Sequence, residues 1–337
     1  SKFIPVSKES MYHAHFKAGK DMLAIYLNNN PQSNILNGKS LMVGGSTNIN
    51  RNRSYYSGDL SAIIIKNLPI WVQLKQTPST KTALLSNWEQ KINAIYEETK
   101  SQNITSISGV PSWTIVILNK IINNLKIKHI NEIWPNLELY MHGGINFETY
   151  KNSFRNLISK KINYLELYNA SEGFFAIQNE SNKKDLMLLL NHGVFYEFIP
   201  IKNGLELKDQ IIPLSKVIIN QIYAMVITTN GGLWRYEIGD TLTFTSINPY
   251  KIKLSGRTQS FINAFGEEVN EQNANDAINY ACKSTNAIVK EYVAGPFFYK
   301  NKSGAHEWFI EFEKKPKDME LFKYKLDYKL KNINSDY

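Results

Sequence analysis

The residues Tyr168-Asn169-Ala170-Ser171-Glu172-Gly173 lie between two apolar, strand-like runs and place a ring, a hydroxyl and a carboxylate within a short turn. That set suits a nucleotide and its metal: a face for the base, a donor for a phosphate oxygen, an anion for Mg²⁺. The same residue types also build ordinary solvated connectors. Downstream, Leu233 to Asp240 reads as a strand ending in Gly239-Asp240, where a carboxylate can accept hydrogen bonds from the adjacent hydroxyls of a ribose. Gly256-Arg257 offers a guanidinium that can reach a ribose or phosphate oxygen, or simply form a surface ion pair. Upstream, Met141-His142-Gly143-Gly144 closes another apolar run, and paired glycines let a backbone approach a flat ligand. His142 stands without a partner motif, as a packed or capping histidine also would. His13, His15, His129, His192 and His306 show no metal-ligand spacing, and His13 and His15 point to different sides of a helix.

The elements that must carry these residues alternate along the chain. Ser79 or Thr80 caps a predicted helix with Leu84, Trp88, Ile92, Ile95 and Tyr96 at three- and four-residue steps. Ser112, after Pro111, opens another with Trp113, Val116, Ile117 and Ile121. A third begins near Phe147 and carries Tyr150, Phe154, Leu157 and Ile158. Strands are expected at 62–65, 137–141, 162–168, 174–178, 223–228, 233–238 and 242–246. This alternation argues for an α/β architecture. Beyond Gly256-Arg257 the composition shifts to a polar helix with Ala277, Ile278 and Ala281, strands near 287–294 and 307–313, and a helix with Met319, Phe322, Leu326 and Leu330. We therefore expect a large domain over 1–255 and a small domain over 256–337 that moves against it.

The 337 residues suffice for a large core, and 43% hydrophobic content argues against disorder. Cys282 is the sole cysteine, which excludes an internal disulfide and a cysteine zinc site and reads as a buried structural thiol. The most apolar run, Ala62 to Leu74, is interrupted by Lys66, Asn67 and Pro69, short of the ~18 residues of a membrane span. The opening residues lack the apolar core of a signal peptide, so a cytoplasmic setting is expected. The net charge of +9 is scattered rather than blocked, which suits an anionic small ligand better than nucleic acid.

In this order, the four motifs resemble the adenylate-forming superfamily of acyl-CoA synthetases, luciferase and adenylation domains. In detail they are similar to the auxin-responsive Gretchen Hagen family of acyl-acid-amido synthetases. The similarity runs from Ser1 to Tyr337. It is carried most distinctly by Lys2-Phe3-Ile4-Pro5-Val6-Ser7, Tyr168 to Gly173, Tyr236 to Asp240, and Ile262 to Glu271. The resemblance implies the adenylate-forming fold, with layered sheets and helices in the large domain and a mobile α+β small domain.

It also implies roles. Tyr168, with Asn169 and Ala170, would receive adenine, Ser171 the α-phosphate, and Glu172 would be catalytic and hold Mg²⁺. Asp240 would grip the ribose, supported by Arg257, and Gly143 and Gly144 would line the adenine and acyl pocket. Val110, Ser112 and Trp113 would contact the acyl acid. Lys2 would be the lysine closing the phosphate loop. ATP and Mg²⁺ are the implied cofactors, and a small carboxylic acid and an amine, such as an amino acid, the substrates. The resemblance places a phosphate loop just before Lys2 and a catalytic lysine late in the small domain, so we expect a piece of a longer protein. A thioester-forming ligase and a non-catalytic nucleotide-binding relative remain the alternatives.

Overall fold

The computed structural model describes residues 3–44, 50–51, 55–144, 147–202, 205–258, 261–262, 269–298 and 304–334. Lys2 and most of the Ile262–Glu271 motif lie outside them. The chain forms two compact units. The first comprises Ser1–Phe147, Ser153–Val194 and Thr229–Leu233; the second comprises Glu148–Asn152, Phe195–Thr228 and Trp234–Tyr337.

The first unit is built on strands β1 (Lys39–Val43), β2 (Gln76–Thr77), β3 (Ile104–Gly109), β4 (Leu139–Gly143), β5 (Asn163–Ala170), β6 (Gly173–Ile177) and β7 (Leu186–Leu188). Their order across the sheet is β2-β1-β3-β4-β5-β6-β7. From β2 to β5 every pairing is parallel; β6 and β7 then run antiparallel. Parallel strands need crossover helices and are covered on both faces, which is why β3 is buried even at Thr105 and Ser106. Thr105 reconciles its hydroxyl with burial by donating to the Ile35 carbonyl at 2.6 Å.

The helices of this unit include α1 (Lys17–Asn29), α2 (Leu60–Lys66), α3 (Ile70–Lys75), α4 (Thr80–Ala83), α5 (Trp88–Thr99), α6 (Pro111–Leu125) and, from Ser153 onward, α7 (Lys151–Leu157). Residues 62–65, expected as a strand, are helical in α2. Ala62 and Ile65, one turn apart, supply its buried side, a helical period that a short apolar run conceals. The single helix expected from Ser79 to Tyr96 is two. Ser79 caps α4 by accepting from the Thr82 N–H, and Asn87 starts α5 afresh by accepting from Gln90 N–H at 2.9 Å. Helix α6 begins at Pro111, one residue before Ser112, with Val110 at the cap position.

The second unit contains β8 (Val194–Lys202), β9 (Ile222–Thr229), β10 (Tyr236–Ile247) and β11 (Tyr250–Arg257), neighbours in that order. Of the two strands expected at 233–238 and 242–246, residues 236–238 and 242–246 belong to the single strand β10, irregular opposite Ala224–Val226 of β9, and Leu233–Arg235 precede it outside any strand. After these come α8 (Glu271–Thr285), β12 (Ile288–Phe298), β13 (Gly304–Lys314) and α9 (Met319–Ile333). Both helices pack on one face of the hairpin through Ala277, Ile278, Ala281, Val289, Phe322, Leu326 and Leu330. Cys282 joins the edge of that cluster, and burial raises its thiol pKa to about 11, as a structural thiol requires. Tyr280, Tyr328 and Tyr324 stack in a row, with Lys329 and Lys325 against the rings. Among the described residues no helix is long and apolar enough to cross a membrane.

Candidate active site

The parallel strands of the first unit all end at one edge. Val43 of β1 lies opposite Gly109 of β3, and Gly143 of β4 opposite Leu167 of β5. In open α/β sheets, ligands bind beyond this carboxyl edge. Gly44, Val110, Gly144 and the Ser171–Glu172 turn are the residues that continue from those strand ends. The edge thus gathers, from separate parts of the chain, most of the residues the sequence singled out in this unit.

Ser171 and Glu172 form the two-residue turn between β5 and β6, with Ser171 exposed and Glu172 partly exposed. Both can therefore meet a ligand. Ala170 is half-buried and Asn169 exposed just before the turn. Tyr168 is 5% exposed and its ring packs on Phe175 at 5.0 Å, tilted 53°. Its hydrophobic body is anchored in the unit's interior.

Gly143 and Gly144 differ in physical origin. A Cβ on Gly143 would sit 2.4 Å from the Leu167 carbonyl oxygen, so this glycine is required by the neighbouring strand itself. Gly144 has φ +82°, a left-handed conformation, and a Cβ there would meet, among the described residues, only Val110 Cγ2, at 3.9 Å. Gly144 thus adjoins Val110 at the start of α6. Ser112 and Trp113 follow on the first turn, Ser112 half-buried and Trp113 39% exposed.

His142 stacks on Phe147 with centroids 4.0 Å apart and is 4% exposed, a packed ring behind the edge. Tyr140 stacks on Phe154 at 4.5 Å and donates its hydroxyl to the Gly109 carbonyl at 2.8 Å. This aromatic cluster ties β4 to the end of β3.

In the second unit, Asp240 and Arg257 face each other across β10 and β11. The Arg257 Nε–H donates to Asp240 Oδ1 at 3.1 Å. The irregularity in β10 falls at Ile238–Asp240, where Gly239 takes φ +87°. A bulge of this kind re-aims the next side chain, here the Asp240 carboxylate.

Two residues that the sequence did not single out for the site, Trp88 being expected only as a helix-packing residue, also belong to the first unit's edge. Trp88 of α5 lies 6.4 Å from Trp113, at 60°. Lys91 of α5 is 2% exposed and donates Nζ–H to the Gly44 carbonyl at 3.1 Å. Its helical position beside Ile92 and Ile95 was the available signal: a lysine on a buried face.

Among the described residues no three His, Cys, Asp or Glu side chains cluster to hold a metal. A single carboxylate such as that of Glu172 is compatible with Mg²⁺, which is commonly held by one or two carboxylates together with substrate phosphates and water rather than by a protein cage.

The architecture, a mainly parallel sheet with an antiparallel margin and an appended helix-and-hairpin unit, is that of adenylate-forming enzymes. Its likeness to solved structures bears this out. A GH3.15 acyl acid amido synthetase superposes with TM-score 0.75 at 13% identity, over 98% of this chain and 67% of that one. The amide bond synthetase McbA from Marinactinospora thermotolerans gives TM-score 0.56 at 13% identity, over 96% and 60%. Family models divide the sequence among the GH3 family N-terminal domain (1–162), central domain (187–257) and C-terminal domain (272–337). The chain belongs to the GH3 family, the Gretchen Hagen family of the sequence resemblance. An Oryza sativa subsp. japonica protein named "Probable indole-3-acetic acid-amido synthetase GH3.11" is 26% identical over 144 residues, 38% of this chain and 24% of that protein. These likenesses span from about a quarter to two thirds of the relatives' own lengths.

Proposed function

We propose that the protein is part of an ATP-dependent acyl-acid-amido synthetase, which activates a small carboxylic acid as its adenylate and transfers the acyl group to an amine. The observation that carries the proposal is the carboxyl edge of the parallel sheet. There the Ser171–Glu172 turn, the Val110–Gly144 contact and the exposed indole of Trp113 continue from neighbouring strands. Membership of a family whose relatives carry amido-synthetase names supports the same activity.

In this reading a carboxylate oxygen of the acid attacks the α-phosphorus of ATP and pyrophosphate departs. The amine then attacks the acyl carbon, AMP departs and the nitrogen loses a proton. The protein's part is to hold the reactants in line and to place donors where charge develops. Ser171 donates to a phosphate oxygen. Asp240 accepts from the ribose hydroxyls, with Arg257 orienting its carboxylate, and Tyr168 with Asn169 and Ala170 forms the base-binding wall. Glu172 would hold Mg²⁺, which supplies neutralisation of phosphate charge when bound. Val110, Ser112 and Trp113 face the acid. Residues 256–337 form the small domain, whose rotation about the junction at Arg257 admits the second nucleophile.

The test is acid-dependent exchange of pyrophosphate into ATP by the full-length protein, across small aromatic and aliphatic acids, followed by product analysis with amino acids and with thiols. Amide products are expected. Thioesters alone would make it a thioester-forming ligase, and no exchange with any acid would make it a non-catalytic relative.

A further inference from the structure

We propose that Lys91 is a positioning residue for the acid side of this site, governing affinity for the acid and leaving affinity for ATP unchanged. The inference rests on the synthetase reading above. Lys91 lies on α5 at 2% exposure, and burial lowers its pKa while the charge of Asp59 opposes that shift. An ammonium there costs desolvation that a methionine of similar length would not incur. Its contribution must therefore lie in what it holds.

Two of its contacts bear on this site. The Nζ–H donates to the carbonyl of Gly44, the residue that leaves β1 at the carboxyl edge. The same nitrogen lies 6.0 Å from the Trp88 ring centroid, and that ring meets Trp113 on the first turn of α6. One cation thus ties the end of β1 to the pair of indoles beside Val110. Without it, the Gly44 carbonyl and the Trp88 ring each lose a fixed neighbour, and the apolar wall loses its defined shape. The nucleotide residues of this unit stand elsewhere along the edge. In strand order β1 is separated from β5 by β3 and β4, roughly 14 Å at the usual strand spacing.

The experiment compares wild type, Lys91→Met and Lys91→Arg in the full-length protein. It measures binding of benzoate, phenylacetate and hexanoate by calorimetry, KM for acid and for ATP in pyrophosphate exchange, and the melting temperature. For Lys91→Met we expect weakening of acid binding by about tenfold, with KM for ATP within twofold and a lowered melting temperature, since the Gly44 carbonyl loses its buried donor. Lys91→Arg should recover part of the acid affinity, because it restores the donor and the charge. Unchanged acid affinity, or an equal loss for ATP, overturns the inference, as does a lowered melting temperature with acid affinity intact. Wild type that binds acid but exchanges no pyrophosphate removes the synthetase reading alone, and the binding constants still judge Lys91. Wild type that binds none of the three acids overturns the inference.

Discussion

Arg257 donates its Nε–H to Asp240 Oδ1 at 3.1 Å, and the two residues are direct partners across antiparallel strands. Their exposures differ sharply, 67% for the arginine side chain and 13% for the aspartate. A pair with so exposed a member is screened by water and contributes little to stability, ~1 kcal/mol or less. Its value is orientation: the arginine holds a largely buried carboxylate in one rotamer at the bulge made by Gly239. Asp240→Ala should weaken ATP binding by on the order of 1.5–3 kcal/mol, the worth of a charge-assisted hydrogen bond. Titration calorimetry on the full-length protein reads this directly, and unchanged affinity would remove Asp240 from the ribose role. Arg257→Ala should weaken ATP binding by a smaller factor, since the carboxylate remains.

Glu172 sits on a two-residue turn where its carboxylate can turn outward. Glu172→Gln should shift the Mg²⁺ dependence of pyrophosphate exchange to higher metal concentration by tenfold or more. A curve that superposes on wild type would mark the residue as part of a solvated connector.

The adjacent glycines make opposite claims on their surroundings. Gly143→Ala forces a methyl to within 2.4 Å of the Leu167 carbonyl, so the sheet itself must shift. A loss of about 1–3 kcal/mol is expected by urea denaturation. Gly144→Ala makes only an ordinary contact with Val110 Cγ2 but keeps φ +82°, costing about 1–2 kcal/mol through backbone strain. Lengthening the Val110 side chain by one carbon, as Val110→Ile, should aggravate only the Gly144 variant. Equal responses of the two would refute this division.

His15 is buried, and desolvation lowers its pKa to about 4. The unfolded chain binds a proton on this residue near pH 6.5 and the folded chain does not. Stability therefore rises with pH between about 4 and 6.5, is complete above 6.5, and is lost as pH falls through that window. The contribution is on the order of 3 kcal/mol. His192 adds to the same trend, since burial and the Lys17 charge lower its pKa against the opposing pull of Asp21. Denaturation of wild type and His15→Leu from pH 4 to 7 should show a shallower slope in the variant. Identical slopes would mean that His15 titrates normally.

Much of the candidate site was legible because it is made of local devices. The Ser171–Glu172 turn, the Gly143–Gly144 strand exit and the Gly239 bulge each need particular residue types at consecutive positions. The amphipathic helices after residue 270 were legible for the same reason: Ala277, Ile278 and Ala281, then Phe322, Leu326 and Leu330, repeat at helical spacing and form one buried cluster. Strands β1, β2, β3, β7, β8 and β11 escaped detection. In β3, Ile104-Thr105-Ser106-Ile107 interrupts the apolar run with two buried hydroxyls, and the burial of Thr105 is tolerable because the Ile35 carbonyl accepts from it. Helix α2 was misread because four apolar residues fit either period.

By itself, then, the sequence determined the α/β alternation, the family motifs and the turns that carry their polar groups, since these follow from short-range backbone preference and side-chain period. Only the tertiary structure decided that Gly143 answers to Leu167, that Gly144 meets Val110 and that Trp88 joins Trp113. It alone buried Lys91 against Gly44 and stacked Tyr280 on Tyr328. Each of these pairs joins residues far apart in the chain. Parallel strand order and helix packing bring them within reach, and no local propensity encodes that order.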